Sequence, residues 1–225
     1  MLSFFKVYRY FFVGLAIVSA VMIYFFYQAL VPQKSLPVFG PSDVNPELVD
    51  STVQHVGKNH RIQDFKFVNQ YADTITQQDY QDCIYVVDFF FTTCPTICPI
   101  MTKNMEMLQE KIKSFPKVKI LSHTVTPEID SVPVLKSYAD KHHAIKGKWN
   151  LVTGNKKEIY YMARQSYLAV KTTTSSELYD MVHTENFVLV DSKRRVRGFY
   201  DGTDKKEIER LFEDIKWLVE NDKNK

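Results

Sequence analysis

The chain has only three cysteines among its 225 residues, Cys83, Cys94 and Cys98, too few for a disulfide framework. Nor does it concentrate positive charge. The formal net charge is +3, and Lys6 and Arg9 are the only charged residues before residue 32, so the rest sums to 3 − 2 = +1. Nucleic-acid binding needs a concentrated basic face, and no nucleic-acid partner is expected. Proline is absent after Pro133, which removes a proline-fixed turn from any site built late in the chain. Internal repeats and low-complexity tracts are missing, and no A-x-A-like cleavage site follows the first apolar run. That run is also longer than the 7–15 residues of a signal peptide.

What is present begins with the run itself. Residues 10–31 are 22 uncharged residues rich in Phe, Val, Ile, Leu and Tyr, enough at about 1.5 Å per residue to span a ~30 Å hydrocarbon layer. Lys6 and Arg9 precede it, so residues 1–9 are expected in the cytoplasm and the remainder outside. Residues 32–58 carry Pro32, Pro37, Pro41 and Pro46 among polar residues and read as a semi-extended linker that lets a domain stand off the bilayer. Residues 59–225 form one domain, and a hydrophobic content of 45% suffices for its core.

Within that domain the pattern alternates. Residues 64–69 alternate apolar and polar as a half-buried strand does, and 84–91 and 117–125 read as buried strands. Residues 97–112 place Ile97, Met101, Met105, Leu108 and Ile112 at helical spacing. A helix capped by Asp130 or Ser131, with Pro133 in its first turn, runs to about 142. A short strand at 149–152, a helix at 156–165, paired strands at 186–190 and 195–200, and a last helix opening at Asp204-x-x-Glu207 follow. This order predicts an α/β sheet with helices on both faces.

The chemistry gathers where strand 84–91 ends. Cys94 and Cys98, followed by Pro95 and Pro99, lie four apart, which on one helical turn puts them on one face. A helix N-terminus favours the thiolate, the form that binds metals and attacks disulfides. Cys83 opens a buried strand and reads as core. Met101, Met105 and Met107 fit core packing better than a thioether site. His55, His60, His123, His142 and His143 share no ligand spacing and are assigned surface or capping roles. Asp130 reads as a helix N-cap.

Together these motifs resemble the Sco/SenC family. Thr93–Cys94–Pro–Thr–Ile–Cys98–Pro99 is similar to the family's CxxxCP motif. Thr124–Val–Thr–Pro127–Glu–Ile–Asp130–Ser131 is similar to its SVDPxxDT segment, with Thr126 in place of the first Asp. His183, 183 − 98 = 85 residues after Cys98, resembles its metal-binding histidine, with Val182 where an Asp commonly precedes it.

The resemblance implies a thioredoxin-like fold and a copper-binding metallochaperone, not an enzyme, that holds Cu(I) or Cu(II) through Cys94, Cys98 and His183. Soft thiolates and an imidazole suit copper. The implied partner is subunit II of cytochrome c oxidase or its assembly factors. The implied place is a bacterial inner membrane, crossed once, with the domain in the periplasm or otherwise outside the cytoplasm. The same cysteines can instead cycle as dithiol and disulfide, which makes a thiol–disulfide reductase the alternative and a redox-sensing or peroxide-handling protein a third reading. Asp88, six residues before Cys94, resembles the buried aspartate of thioredoxins. It is read either as an acceptor of a thiol proton or as a sheet-edge carboxylate with a lysine partner.

Overall fold

A run such as Ile84–Phe90, apolar at nearly every position, can be covered on both faces only at the middle of a sheet, and the computed structural model places it there. The structure describes residues 8–30, 35–43, 60–169 and 184–221, which belong to two units, Met1–Ser35 and Leu36–Lys225. Among the described residues the first unit contributes one helix, α1 (Arg9–Leu30), long and apolar enough to cross a membrane.

The second unit is a seven-stranded sheet in the order β2-β1-β5-β4-β3-β6-β7. Its strands are β1 (Lys66–Asn69), β2 (Thr74–Thr76), β3 (Ile84–Phe90), β4 (Val118–Thr124), β5 (Trp149–Thr153), β6 (Asn186–Val190) and β7 (Val196–Asp201). Strands β3, β4 and β5 run parallel, and β6 and β7 return antiparallel. Helices α2 (Ile97–Ile112), α3 (Val132–Lys141), α4 (Lys156–Tyr161) and α5 (Lys205–Asn221) complete it. Helix 97–112 matches its sequence-predicted span residue for residue.

Side chains alternate along β3. Ile84, Val86 and Phe90 join one core with α2, α3 and α5, including Met101, Met105, Leu108, Leu135, Leu211 and Ile215. Tyr85, Val87 and Phe89 join another beneath α4, with Phe67, Ile159 and Met162. Each fully buried aliphatic side chain contributes about 1.5–3 kcal/mol. Asp88 has the parity of Val86 and Phe90, so it points to the face that carries α2. Cys94 and Cys98 belong to that same core.

Register fixes the two poles of the sheet. Tyr85 pairs with Val190 and Val190 with Val196, at the start of β3. Asn186 pairs with Asp201 at the other pole, where β3 ends and the chain turns toward Cys94.

Four features differ from the sequence reading. The three-residue edge strand β2, too short to show periodicity, pairs with β1 through a turn held by the Asn69 side chain, which accepts from the amides of Tyr71 and Asp73 at 2.9 Å. The helix predicted to 165 leaves α-geometry after Tyr161 and continues as one π-turn over Met162–Ser166. Residues 36–43, expected within a free linker, are strapped to β7. Phe39 bridges to Val196, and the Arg197 guanidinium donates to the carbonyls of Pro37 (2.8 Å) and Leu36 (2.7 Å) and to Asp191 (2.9 Å). The rest of the expected linker, 44–58, lies outside the described residues apart from what precedes it, as do 31–34. Finally, His123 has no surface role. It is fully buried among Phe65, Phe67, Phe89 and Tyr167 with neither ring nitrogen hydrogen-bonded, and burial holds it down to about 3, a neutral aromatic core residue. His60 is also buried and bonds the Ser166 carbonyl at 2.7 Å.

Arg197 is almost entirely buried, so truncating it leaves two strap carbonyls and part of Asp191 without their donor. Arg197→Met is expected to cost about 3 kcal/mol, a fall in Tm of roughly 6–12 °C. Limited proteolysis should then cut within 36–43 before the domain core, and scanning calorimetry checks the size of the loss.

Candidate metal and thiol centre

Cys94 sits in the turn that leaves β3, and α2 starts three residues later, with Cys98 as its second residue. The pair is therefore split between turn and helix, not carried on one helical face. Proline suits Pro99 because first-turn amides have no partner within the helix. The turn closes with the Cys94 amide donating to the Phe91 carbonyl at 3.2 Å, and the Val125 amide donates to the Phe90 carbonyl at 2.9 Å.

Both thiols are free and have little accessible surface. They differ sharply in acidity. Cys94 lies just beneath the surface. Burial works against its thiolate, but the amides of Cys98 and Thr96, the Cys98 thiol and the Thr96 hydroxyl outweigh it and bring Cys94 down to about 7. The Thr96 hydroxyl stands 3.8 Å from the sulfur. Cys98 lies deeper. Burial pushes it up to about 12, against a bond from the Phe91 amide and with the Cys94 sulfur and Asp88 adding repulsion.

Asp88 is buried on a strand with neighbours on both sides, which rules out the sheet-edge reading with a lysine. Its cross-strand partner Ser122 donates to it, and the Trp149 indole donates to Ser122 at 2.8 Å. Burial raises the Asp88 carboxyl to about 7 despite the Ser122 bond. Its charge, when present, opposes ionisation of Cys98.

The remaining sequence-predicted residues fall as follows. Cys83 is buried immediately before β3, and Met101 and Met105 are fully buried core residues. Met107 is half-buried on the same helix. Asp130 does not cap α3. Ser131 holds the N-cap position, and the Asp130 carboxylate turns inward to Thr92, Thr124 and Thr126. A sequence gives no sign of this, because an aspartate before a helix is ordinarily a cap. His183 and Val182 lie outside the described residues. Thr184 and Glu185, the next residues, lead into β6 at the pole where β3 ends; the Glu185 carbonyl accepts from the Gly202 amide at 2.7 Å. Among the described residues no group of three or more His, Cys, Asp or Glu side chains is arranged to hold a metal ion. Two clefts, one bordered by Gln77 and Arg194 and one by Phe39 and Arg195, touch neither cysteine.

The model of the SCO1/SenC family matches residues 53–220. A SCO1 protein homolog of Bacillus subtilis (strain 168) is 31% identical over 160 residues, covering 70% of this chain and 82% of the relative. A solved structure of BsSco, described as having a disulfide switch and as a member of the Sco family of cytochrome c oxidase assembly proteins, is 30% identical with a TM-score of 0.61, over 72% of this chain and 95% of that one. Bradyrhizobium japonicum ScoI with copper bound shares the fold at 20% identity and a TM-score of 0.56, over 70% of this chain and 99% of that one.

Two titrations test the electrostatics. In the reduced protein, iodoacetamide should label Cys94 with a rate that climbs through a midpoint near pH 7, while peptide mass spectrometry finds Cys98 unlabelled until much higher pH. Asp88, with its acidity weakened by folding, favours the native state fully below its unfolded value near 4, and that contribution is lost as pH rises to about 7. Asp88→Asn should therefore raise Tm at pH 8 and leave it nearly unchanged below pH 4; an equal shift at both would contradict the assignment.

Proposed function

The chain belongs to the SCO1/SenC family, and from that premise we propose that it is a membrane-anchored metallochaperone whose cargo is copper, bound by Cys94, Cys98 and His183 and passed to the binuclear copper site of cytochrome c oxidase subunit II. The observation that carries this reading is the pair of reduced thiols at one pole of the sheet, one of them biased toward thiolate by two backbone amides. Thiolate sulfur is a soft donor that selects copper in its lower oxidation state, and imidazole accommodates both states. Copper-bound ScoI from Bradyrhizobium japonicum supports the cargo by its fold. Three protein ligands leave the metal open to an incoming ligand from an acceptor. The positive-inside rule orients α1 with Lys6 and Arg9 in the cytoplasm and the domain outside it, in a bacterial inner membrane.

The unequal thiols favour a second reading, thiol–disulfide exchange with the acceptor. Cys94 as thiolate attacks an acceptor disulfide, and one acceptor thiolate leaves. Cys98, its proton passed to Asp88, then attacks the mixed disulfide at Cys94. The acceptor gains two electrons as a dithiol, and a Cys94–Cys98 disulfide forms in this chain. The disulfide switch described for BsSco supports disulfide chemistry as a reading for this chain. A redox-sensing or peroxide-handling role is a third outcome.

Copper titration of the reduced full chain in detergent micelles separates these. One copper per chain is expected, with affinity lost in Cys94→Ser and Cys98→Ser and reduced by at least about tenfold in His183→Ala. An acceptor disulfide reduced by a His183→Ala protein that binds no copper would favour the reductase, whereas rapid peroxide consumption at Cys94 would favour the third role.

A further inference from the structure

Asp130 has no accessible surface, yet among the described residues no cationic side chain pairs with it. Its carboxylate instead receives four neutral donors. The Thr92 amide donates at 3.3 Å and the Thr92 hydroxyl donates as well, as do the hydroxyls of Thr124 and, at 3.1 Å, Thr126. The Asp130 amide in turn donates to the Thr126 carbonyl at 2.9 Å, and the Thr126 amide to the Thr124 hydroxyl at 3.1 Å. A carboxylate accepts only, so four donors suit it. One side chain thereby joins the turn after β3 to the turn after β4.

The first of those turns carries Cys94. Its sulfur rides on the turn, while the Thr96 hydroxyl that stands 3.8 Å from it belongs to the N-cap of α2. Sulfur and hydroxyl keep that contact only while turn and helix keep one relation. The Cys94 amide donates to the Phe91 carbonyl within the turn, and both the amide and the hydroxyl of Thr92 tie the turn to Asp130.

We propose that Asp130 is a positioning residue for the Cys94–Cys98 pair: through Thr92 it sets the place of the Cys94 sulfur without touching either cysteine. Thr92 and Thr126 each give a hydroxyl to the same carboxylate, but only Thr92 lies in the thiol turn. Removing one or the other therefore separates positioning from general support of the fold.

The test uses Asp130→Asn, Thr92→Val and Thr126→Val in the full chain. Three quantities are read: Tm, the rate of Cys94 alkylation in the reduced metal-free protein at one pH, and the affinity and thiolate-to-Cu(II) charge-transfer spectrum of the copper-loaded protein. Asparagine turns two N–H donors toward groups that are themselves donors. Asp130→Asn and Thr92→Val are expected to slow alkylation several-fold, weaken copper binding by about tenfold or more and change the charge-transfer band. Thr126→Val is expected to match wild type in alkylation and spectrum whatever its Tm. The proposal is overturned when Thr126→Val alters alkylation as much as Thr92→Val, or when a folded Asp130→Asn alkylates at the wild-type rate. Should Asp130→Asn not fold, the two valine variants decide alone. The copper readout rests on the metallochaperone reading and the alkylation readout does not, so a wild-type chain that binds no copper but keeps the alkylation pattern would refute that reading and uphold this one.

Discussion

The sulfur of Cys94 lies in the turn after β3, 3.8 Å from the hydroxyl of Thr96 at the start of α2, and that contact holds only while a turn and a helix keep a fixed relation. The sheet supplies the fixed frame. Strand β3 is buried on both faces, its neighbours β4 and β6 lock its register, and α2 is packed down by Met101, Met105, Leu108 and Ile112. Two carboxylates are then placed in this apolar frame, each at a calculable cost in burial. Asp88 is bonded by Ser122 on the neighbouring strand, and Asp130 lies behind Thr92. Among the described residues neither has a salt bridge, and each is held by hydroxyl or amide donors.

Unequal acidity follows from depth. Cys94 near the surface gathers donors at a helix start, and Cys98, one turn inside, is kept neutral by its surroundings. Both chemistries considered for the family use this arrangement. A metal needs both sulfurs deprotonated, so binding must displace the proton of Cys98, and the charge of the ion itself makes that possible. Disulfide exchange needs one ready nucleophile and one thiol withheld until the mixed disulfide forms. An acceptor site with reduced cysteines and an acceptor site with a disulfide thus call on the same two residues in different order.

The strands and helices were legible where pattern was strong. The run at 84–90 and the helical spacing of 97–112 define their elements because burial on two faces, or on one stripe, leaves no other period. The cysteine motif stood out for the same reason that it works, a strand end meeting a helix start. What escaped was non-local. Strand β2 exists by pairing, the strap at 36–43 by a guanidinium 160 residues away, and the burial of His123 by four aromatic rings from three other segments. Asp130 follows the composition rule for a cap, yet the donors that claim it come from residues brought together by folding. His183 carries no local signature at all, and only its resemblance to the family pattern singled it out.

The threonine at 126 departs from the family pattern, which has an aspartate there, and the geometry says what that departure does. Thr126 donates its hydroxyl to Asp130. An aspartate at 126 would bring a second acceptor against the first, in a place where among the described residues no cation separates them, and one carboxyl would have to carry a proton or turn outward. With threonine the ring of donors around Asp130 closes without either. The substitution removes a negative charge close to the thiol turn and supplies a donor in its place. The Asp130 carboxylate is tied down at three hydroxyls, those of Thr92, Thr124 and Thr126. Aspartate at this position in a relative therefore needs a different set of partners for the turn, and the acidity of the first cysteine is expected to differ between the two patterns for that reason.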